Sequence, residues 1–301
     1  MPSFRAAPVR VRVPATSANL GPGFDSFGLA LALYDDVVVR VADSGLRVDV
    51  AGEGAEDLPR DRRHLVVRSL RAAFDVLGGQ PRGLEVVCAN RIPQSRGLGS
   101  SAGAIVAALL AARALVLGGE EALDDAATLD LATRLEGHPD NVAACLRGGL
   151  TVAWIGAGPR AVRLVPHGQV APVAFVPTTR ASTRKVRELL PETVPHADAA
   201  FSAGRAALLP HALTVDPSLL LAGTEDRLHQ SYRAPAMPRS YALVQTLRGD
   251  GIAAVLSGAG PSVLALTTLG EREAVAARAP RGWTAHLLDI DLAGAGTVPL
   301  A

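Results

Sequence analysis

Lysine is almost absent from this chain. Lys185 is the only one, and every other strongly cationic side chain is an arginine. A Walker-type phosphate loop needs Gly-Lys-Ser/Thr, and a protein kinase needs a strand lysine on the nucleotide phosphates. Lys185 sits in Ser182-Thr183-Arg184-Lys185-Val186 with no glycine-rich loop before it, so both classes are excluded. Cysteine is nearly as scarce: Cys88 and Cys145 lie in apolar sequence, at residues 84–89 and 142–146. Two such residues make no disulfide framework, so buried thiols and a reducing, cytoplasmic setting are expected. Net charge is also lacking. At +1 it gives no whole-molecule case for nucleic acid or for an anionic membrane, and an anionic substrate needs a local site. No run of 18 apolar residues occurs, so no membrane span is expected. Residues 1–13 carry arginines without an apolar h-region, so no signal peptide is expected.

What is present is core-forming material. Hydrophobic residues make up 49% of 301 positions and charged residues only 20%, the balance of a folded chain. The length suggests two domains of roughly 150 residues. Alternating or valine-rich runs predict strands at 9–13, 34–41, 46–50, 84–89, 150–155, 173–176, 252–256, 262–267 and 283–290. Helical spacing predicts helices at 62–77, 100–117, 124–135, 183–190, 198–209, 217–222, 238–246 and 271–279. The order mixes strands and helices without a strict βαβ rhythm, which reads as α+β. The glycine- and proline-bearing stretch 156–168 is the softest place for a boundary, giving domains 1–155 and 156–301.

Four polar or glycine-rich segments interrupt the apolar pattern. Pro93-Gln94-Ser95-Arg96-Gly97-Leu98-Gly99-Ser100-Ser101-Ala102-Gly103 follows a predicted strand and opens a long helix. Glycines admit close backbone approach, and a helix N-terminus adds unpaired N–H groups and positive potential, so the segment suits nucleotide phosphates. Ser100 and Ser101 add hydroxyls, one of which can ligate magnesium. Glu136-Gly137-His138-Pro139-Asp140-Asn141 places a possible metal ligand, Glu136, four residues before Asp140, which can orient or deprotonate a hydroxyl. Ser257-Gly258-Ala259-Gly260-Pro261-Ser262 separates two apolar strands. Ala15-Thr16-Ser17-Ala18-Asn19-Leu20-Gly21-Pro22-Gly23-Phe24-Asp25 sets Asn19 and Asp25 on a glycine-hinged loop. Taken singly, each also fits a helix cap, a surface turn, a hairpin or a strand connection.

Together they resemble the GHMP kinases, the superfamily named for galactokinase, homoserine kinase, mevalonate kinase and phosphomevalonate kinase. Residues 93–103 are similar to its nucleotide loop and residues 257–262 to its third motif. Residues 16–25 and 138–141 resemble the homoserine kinase branch, and the galactose-binding opening motif is absent. Gly103 stands where the family usually has alanine.

The resemblance implies a GHMP kinase fold, with a ribosomal-protein-S5-like N-terminal domain and a ferredoxin-like C-terminal domain. It implies ATP and Mg2+ as cofactors, with residues 93–103 on the nucleotide and Ser101 and Glu136 on the metal. It further implies L-homoserine as acceptor, surrounded by Asn19, Asp25, His138, Thr183, Arg187 and Arg233. Asp140, Asn141 and Glu136 are the implied catalytic residues, and a homodimer is the implied assembly. Another small alcohol as acceptor, or a ligand-binding relative without activity, remain the alternatives.

Overall fold

The computed structural model describes residues 2–181 and 183–300, with the side chains of residues 183 and 184 outside that description. The chain opens with three strands, β1 (Val9–Ala18), β2 (Phe27–Ala42) and β3 (Gly45–Gly52). In β1 the alternation decides the faces: Val11 and Val13 are fully buried, while Arg10 and Arg12 turn outward and both bond Asp36 of β2. α1 (Leu65–Val76) starts where the His64 ring accepts the Val66 N–H, and it buries Val66, Val67, Leu70 and Phe74. β4 (Gly83–Asn90) leads into the glycine-bearing loop 91–99 and α2 (Ser100–Leu115). Its alanines are small enough for the helix to pack closely on all sides. α3 (Gly119–Ala122), α4 (Asp125–Glu136) and α5 (Asp140–Arg147) follow, α4 ending at left-handed Gly137.

β5 (Leu150–Ile155) and β6 (Pro159–Leu164) form a hairpin. The first sheet has the order β3-β4-β2-β1 and is antiparallel except for the β3/β4 pair. β2 is long enough to serve two partners, β5 at Phe27–Leu29 and β4 at Asp36–Ala42.

The second half begins with β7 (Val170–Pro177), α6 (Thr183–Arg187) and α7 (His196–Thr214). It continues through α8 (Leu220–Gly223), α9 (Gln230–Arg233) and α10 (Pro238–Gly249). β8 (Ala253–Leu256), β9 (Val263–Thr268), α11 (Arg272–Ala276), β10 (Trp283–Leu287) and β11 (Gly296–Val298) complete it. Its sheet has the order β10-β7-β9-β8, antiparallel throughout. One face buries Val173, Phe175, Leu256 and Val263 under α10 and α11. The other buries Val255, Leu264 and Leu266 in a cluster shared with Leu20, Leu29, Ile92 and Leu98 of the first half.

Several boundaries differ from expectation. The expected division after residue 155 falls inside the β5–β6 hairpin, and β6 and β11 both pair into the first sheet. β6 is a half-exposed edge strand whose apolar residues do not alternate with polar ones, and β11 has three residues, so neither carries a periodic signal. The strand expected at 283–290 stops at Leu287, and Ile290 makes an isolated bridge to Leu31 of β2. The helix expected to end at residue 209 runs on to Thr214 through Pro210, because Leu209, Ala212 and Leu213 are buried on both sides of the proline. Among the described residues no helix is long and apolar enough to cross a membrane.

Candidate active site

The polar segments meet in one cavity of about 480 Å³ between the two sheets. The 93–103 segment enters it with Ser95, Gly97 and Gly99 in left-handed conformations, at φ 57, 80 and 71°. The two glycines are required by neighbouring protein. A Cβ at Gly97 would lie 2.2 Å from the Ser257 carbonyl oxygen, and one at Gly99 would lie 1.9 Å from Thr16 Oγ1. Three of the four segments therefore interlock at this loop. Ser257 Oγ donates to the Gly97 carbonyl at 2.6 Å and lies 2.8 Å from Ser17 Oγ. The Gly258 N–H donates to the Ala18 carbonyl at 3.1 Å. Gly99 precedes the free N–H groups at the start of α2, the feature that suits this end of the cavity to an anion.

At that helix start, Ser101 Oγ donates to Glu136 Oε1 at 2.6 Å. Burial raises the Glu136 pKa, opposed by the Ser101 bond and by His138. His138 Nδ1 lies 2.6 Å from Asp140 Oδ1. Burial works against charge on His138, but the bond to Asp140 and nearby carboxylates outweigh it, and its pKa moves up from 6.5. Asp140 Oδ1 also accepts the Asn141 N–H at 2.6 Å. Asn141 Oδ1 accepts from Thr16 Oγ1 at 2.7 Å, which ties the start of α5 to β1.

The far wall is the 19–25 loop, with Asn19, Leu20 and Asp25 in left-handed conformations. The Asn19 amide is committed on both sides, accepting the Asp25 N–H at 3.0 Å and donating to the Gly258 carbonyl at 2.9 Å. Asp25 Oδ2 pairs with Arg187 Nη2, a reach from the first half to α6. Arg233, 2% exposed, donates through Nη1 to the Gly258 carbonyl at 2.9 Å, and its buried Nε has no partner among the described residues. Burial lowers its pKa to about 10, against the pull of Asp25.

The cavity thus gathers Asn19, Asp25, Gln94, Ser95, Gly97, Gly99, Ser100, Ser101, Gly103, Glu136, His138, Asp140, Asn141, Arg187 and Arg233 on its wall. Other expected residues serve the loop from behind. Pro93, Leu98 and Ala102 are buried, with Leu98 in the core between the halves. Arg96 donates to the Pro177 and Thr178 carbonyls at 2.9 and 3.0 Å, which pins the loop to the end of β7. The side chain of Thr183 lies outside the described residues.

Sequence reasoning passed over His64, Asp35, Phe24 and His229. His64 and Asp35 line the cavity, and His64 Nε2 is buried without a partner among the described residues. No motif marks them; their one signal is a polar residue inside an apolar run, as with Asp35 in the valine-rich β2.

The GHMP kinases N terminal domain model matches residues 64–149, and the GHMP kinases C terminal model matches residues 200–285. A homoserine kinase of Streptomyces coelicolor is 66% identical over 301 residues, 100% of this chain and 97% of that protein. Another, of Clavibacter michiganensis, is 53% identical over 293 residues, 95% of this chain and 92% of that protein. The crystal structure of homoserine kinase from Cytophaga hutchinsonii superposes with a TM-score of 0.84 at 24% identity, covering 99% of both chains. That of mevalonate diphosphate decarboxylase from Staphylococcus aureus gives 0.70 at 16% identity, covering 97% of this chain and 98% of that one. At such identities the likeness is one of fold. Matched in both halves by the family models and along its full length by homoserine kinases, the chain belongs to the homoserine kinase family of the GHMP kinase superfamily.

Proposed function

We propose that the chain transfers the γ-phosphoryl of ATP to the side-chain hydroxyl of L-homoserine, with magnesium. The observation that carries this reading is a single cavity with an anion-suited helix start at one end and a paired carboxylate and guanidinium, Asp25 and Arg187, at the other. The Gly97–Ser101 turn would take the phosphates on backbone N–H groups. The apolar side of the cavity, with Val13, Val37, Leu58 and Leu65, would take the base. Glu136 and Ser101 fit magnesium, since two hard oxygens stand 2.6 Å apart beside the phosphate end. Magnesium supplies neutralisation of charge on the transferring phosphoryl.

A zwitterionic acceptor explains why Asp25 and Arg187 face each other. The ammonium group would pair with Asp25, and the carboxylate would take Arg187 and the free donors of Arg233. The side-chain hydroxyl would then be turned to Asp140, which lines the same cavity. Phosphoryl transfer through a loose transition state needs alignment first and proton removal late. Asp140 needs no lysine for this role: His138 and the Asn141 N–H already hold one of its oxygens, and the other is left for the hydroxyl proton. A cytoplasmic homodimer completes the reading, in keeping with two buried free thiols.

The test is ADP release with homoserine, mevalonate and galactose as acceptors, each with and without magnesium. Turnover with homoserine and magnesium alone is the expected result. Glu136→Gln should then lower kcat at limiting magnesium by about 10²-fold, the scale of one electrostatic group at a developing charge. Preference for mevalonate, or release of no ADP with any acceptor, would replace this reading by one of the two alternatives.

A further inference from the structure

Phe24 lies against both arginines of the acceptor end. Its ring centroid is 5.3 Å from the Arg187 guanidinium and 5.3 Å from that of Arg233. On the same ring the His229 imidazole stacks at 5.1 Å with an interplanar angle of 29°. His229 is fully buried, and its Nε2 lies 2.8 Å from the Gly21 carbonyl oxygen. That carbonyl can only accept, so Nε2 carries the proton and Nδ1 is bare. Burial holds the imidazole pKa down to about 4, against the pull of Asp226, so His229 stays neutral near pH 7 and adds no third positive charge. Asp226 in turn accepts the N–H groups of Leu228, His229 and Gln230, which fixes the turn that carries both His229 and Arg233.

The arrangement answers a physical difficulty. Two guanidinium groups meant for one carboxylate repel each other while the site is empty, and each is long enough to swing away. Arg187 has Asp25 as partner, but among the described residues Arg233 has only the Gly258 carbonyl as a hydrogen-bond partner. The face of an aromatic ring attracts cations without neutralising them, so it gathers arginines and leaves their forks free. A carboxylate in the same place would pair with them and compete with the ligand. Phe24 is also the residue next to Asp25, so the ring and the ammonium-binding carboxylate belong to one turn.

We propose that Phe24, braced by His229, is a positioning residue that sets Arg187 and Arg233 at the spacing which reads the acceptor's carboxylate. The proposal rests on the function proposed above and deepens it. It requires that the ring act through the arginines and not through the nucleotide or the reacting hydroxyl.

The test compares Phe24→Leu, which keeps apolar volume and removes the ring, with Phe24→Tyr, which keeps the ring. With homoserine, Phe24→Leu should raise KM by about tenfold, the scale of lost ring contacts to two cations, with kcat within about twofold. KM for ATP should not move, and Phe24→Tyr should recover most of the KM for homoserine. With 3-amino-1-propanol, which lacks the carboxylate, Phe24→Leu should match wild type in kcat/KM. Equal losses with both acceptors, an unchanged KM for homoserine, or Phe24→Tyr as poor as Phe24→Leu would each overturn the proposal. Wild type separates the two readings: failure to use homoserine at all sinks the proposed function, whereas normal wild-type turnover with an unaffected Phe24→Leu sinks only this inference.

Discussion

Asp35 shows what a single residue can cost and what it can hold. It is 5% exposed in a valine-rich strand, and its Oδ1 accepts the N–H groups of Arg91 and Ile92 at 2.6 and 2.8 Å. Those bonds set the first residues of the loop that runs on to Gly97. Burial pushes its carboxyl up to about 6, because the two N–H donors only partly offset lost hydration. The folded pKa lies above the unfolded one, so the contribution of Asp35 is most favourable below about pH 4 and declines as pH rises through about 6. The full decline is about 3 kcal/mol for a shift of this size. Asparagine keeps the accepting oxygen and cannot ionise. Asp35→Asn should therefore gain stability over wild type between pH 4 and pH 7, measured as the difference in urea midpoints across that range. Parallel profiles for the two proteins would refute the account. Nothing in the run Leu33-Tyr34-Asp35-Asp36-Val37 marks Asp35 as different from Asp36, since one meets backbone N–H groups and the other meets Arg10 and Arg12. The places of Glu136, Asp140 and Ser101 at a helix end and at helix starts were legible because local sequence sets them. Phe24 and His229 were not, because their meaning lies in a stack between residues 205 positions apart.

At the scale of elements, helix and strand centres follow the periodicity, and the loops follow their neighbours. Gly99 is the clearest case. In sequence it suggests room for a phosphate, but in the fold its missing Cβ makes room for Thr16 Oγ1, which holds Asn141 at 2.7 Å. Gly99→Ala should therefore injure both substrate sites together. A left-handed alanine and the crowding at Thr16 together destabilise by about 2–4 kcal/mol. KM values for ATP and homoserine should both rise, and Thr16→Ala added to Gly99→Ala should recover part of the thermal stability by removing the struck oxygen. A rise confined to ATP, or no recovery in the double variant, would return the glycine to a purely nucleotide-facing role. The missed elements share a cause. β6 and β11 are strands only because β5 and β1 offer them open edges, and α7 continues past Pro210 because its flanks are packed.

At the scale of the whole molecule, the two halves are joined by one hydrophobic cluster and by a chain that crosses back. Leu29 and Leu98 from one side pack with Leu264 and Leu266 from the other, and β11 returns to pair with β1 after the second sheet is complete. Such sharing predicts one cooperative unfolding transition. The only two tryptophans report it separately, Trp154 on β5 of the first sheet and Trp283 on β10 of the second. Single-tryptophan variants Trp154→Phe and Trp283→Phe should give coincident urea midpoints when each is corrected for its own stability by circular dichroism. Two separated midpoints would mean that the halves fold independently. The sequence by itself determined the α+β class, the exclusion of lysine-dependent phosphate loops, the four polar segments and most helices and strands. Those features depend on spacing within about twenty residues, where periodicity and turn chemistry act. Only the tertiary structure decided that the four segments interlock, that Arg96 serves β7 and not the cavity, and that Phe24 carries two arginines. Each of those depends on which distant surfaces are buried against each other, and burial is what turns a polar side chain into a partner or a penalty.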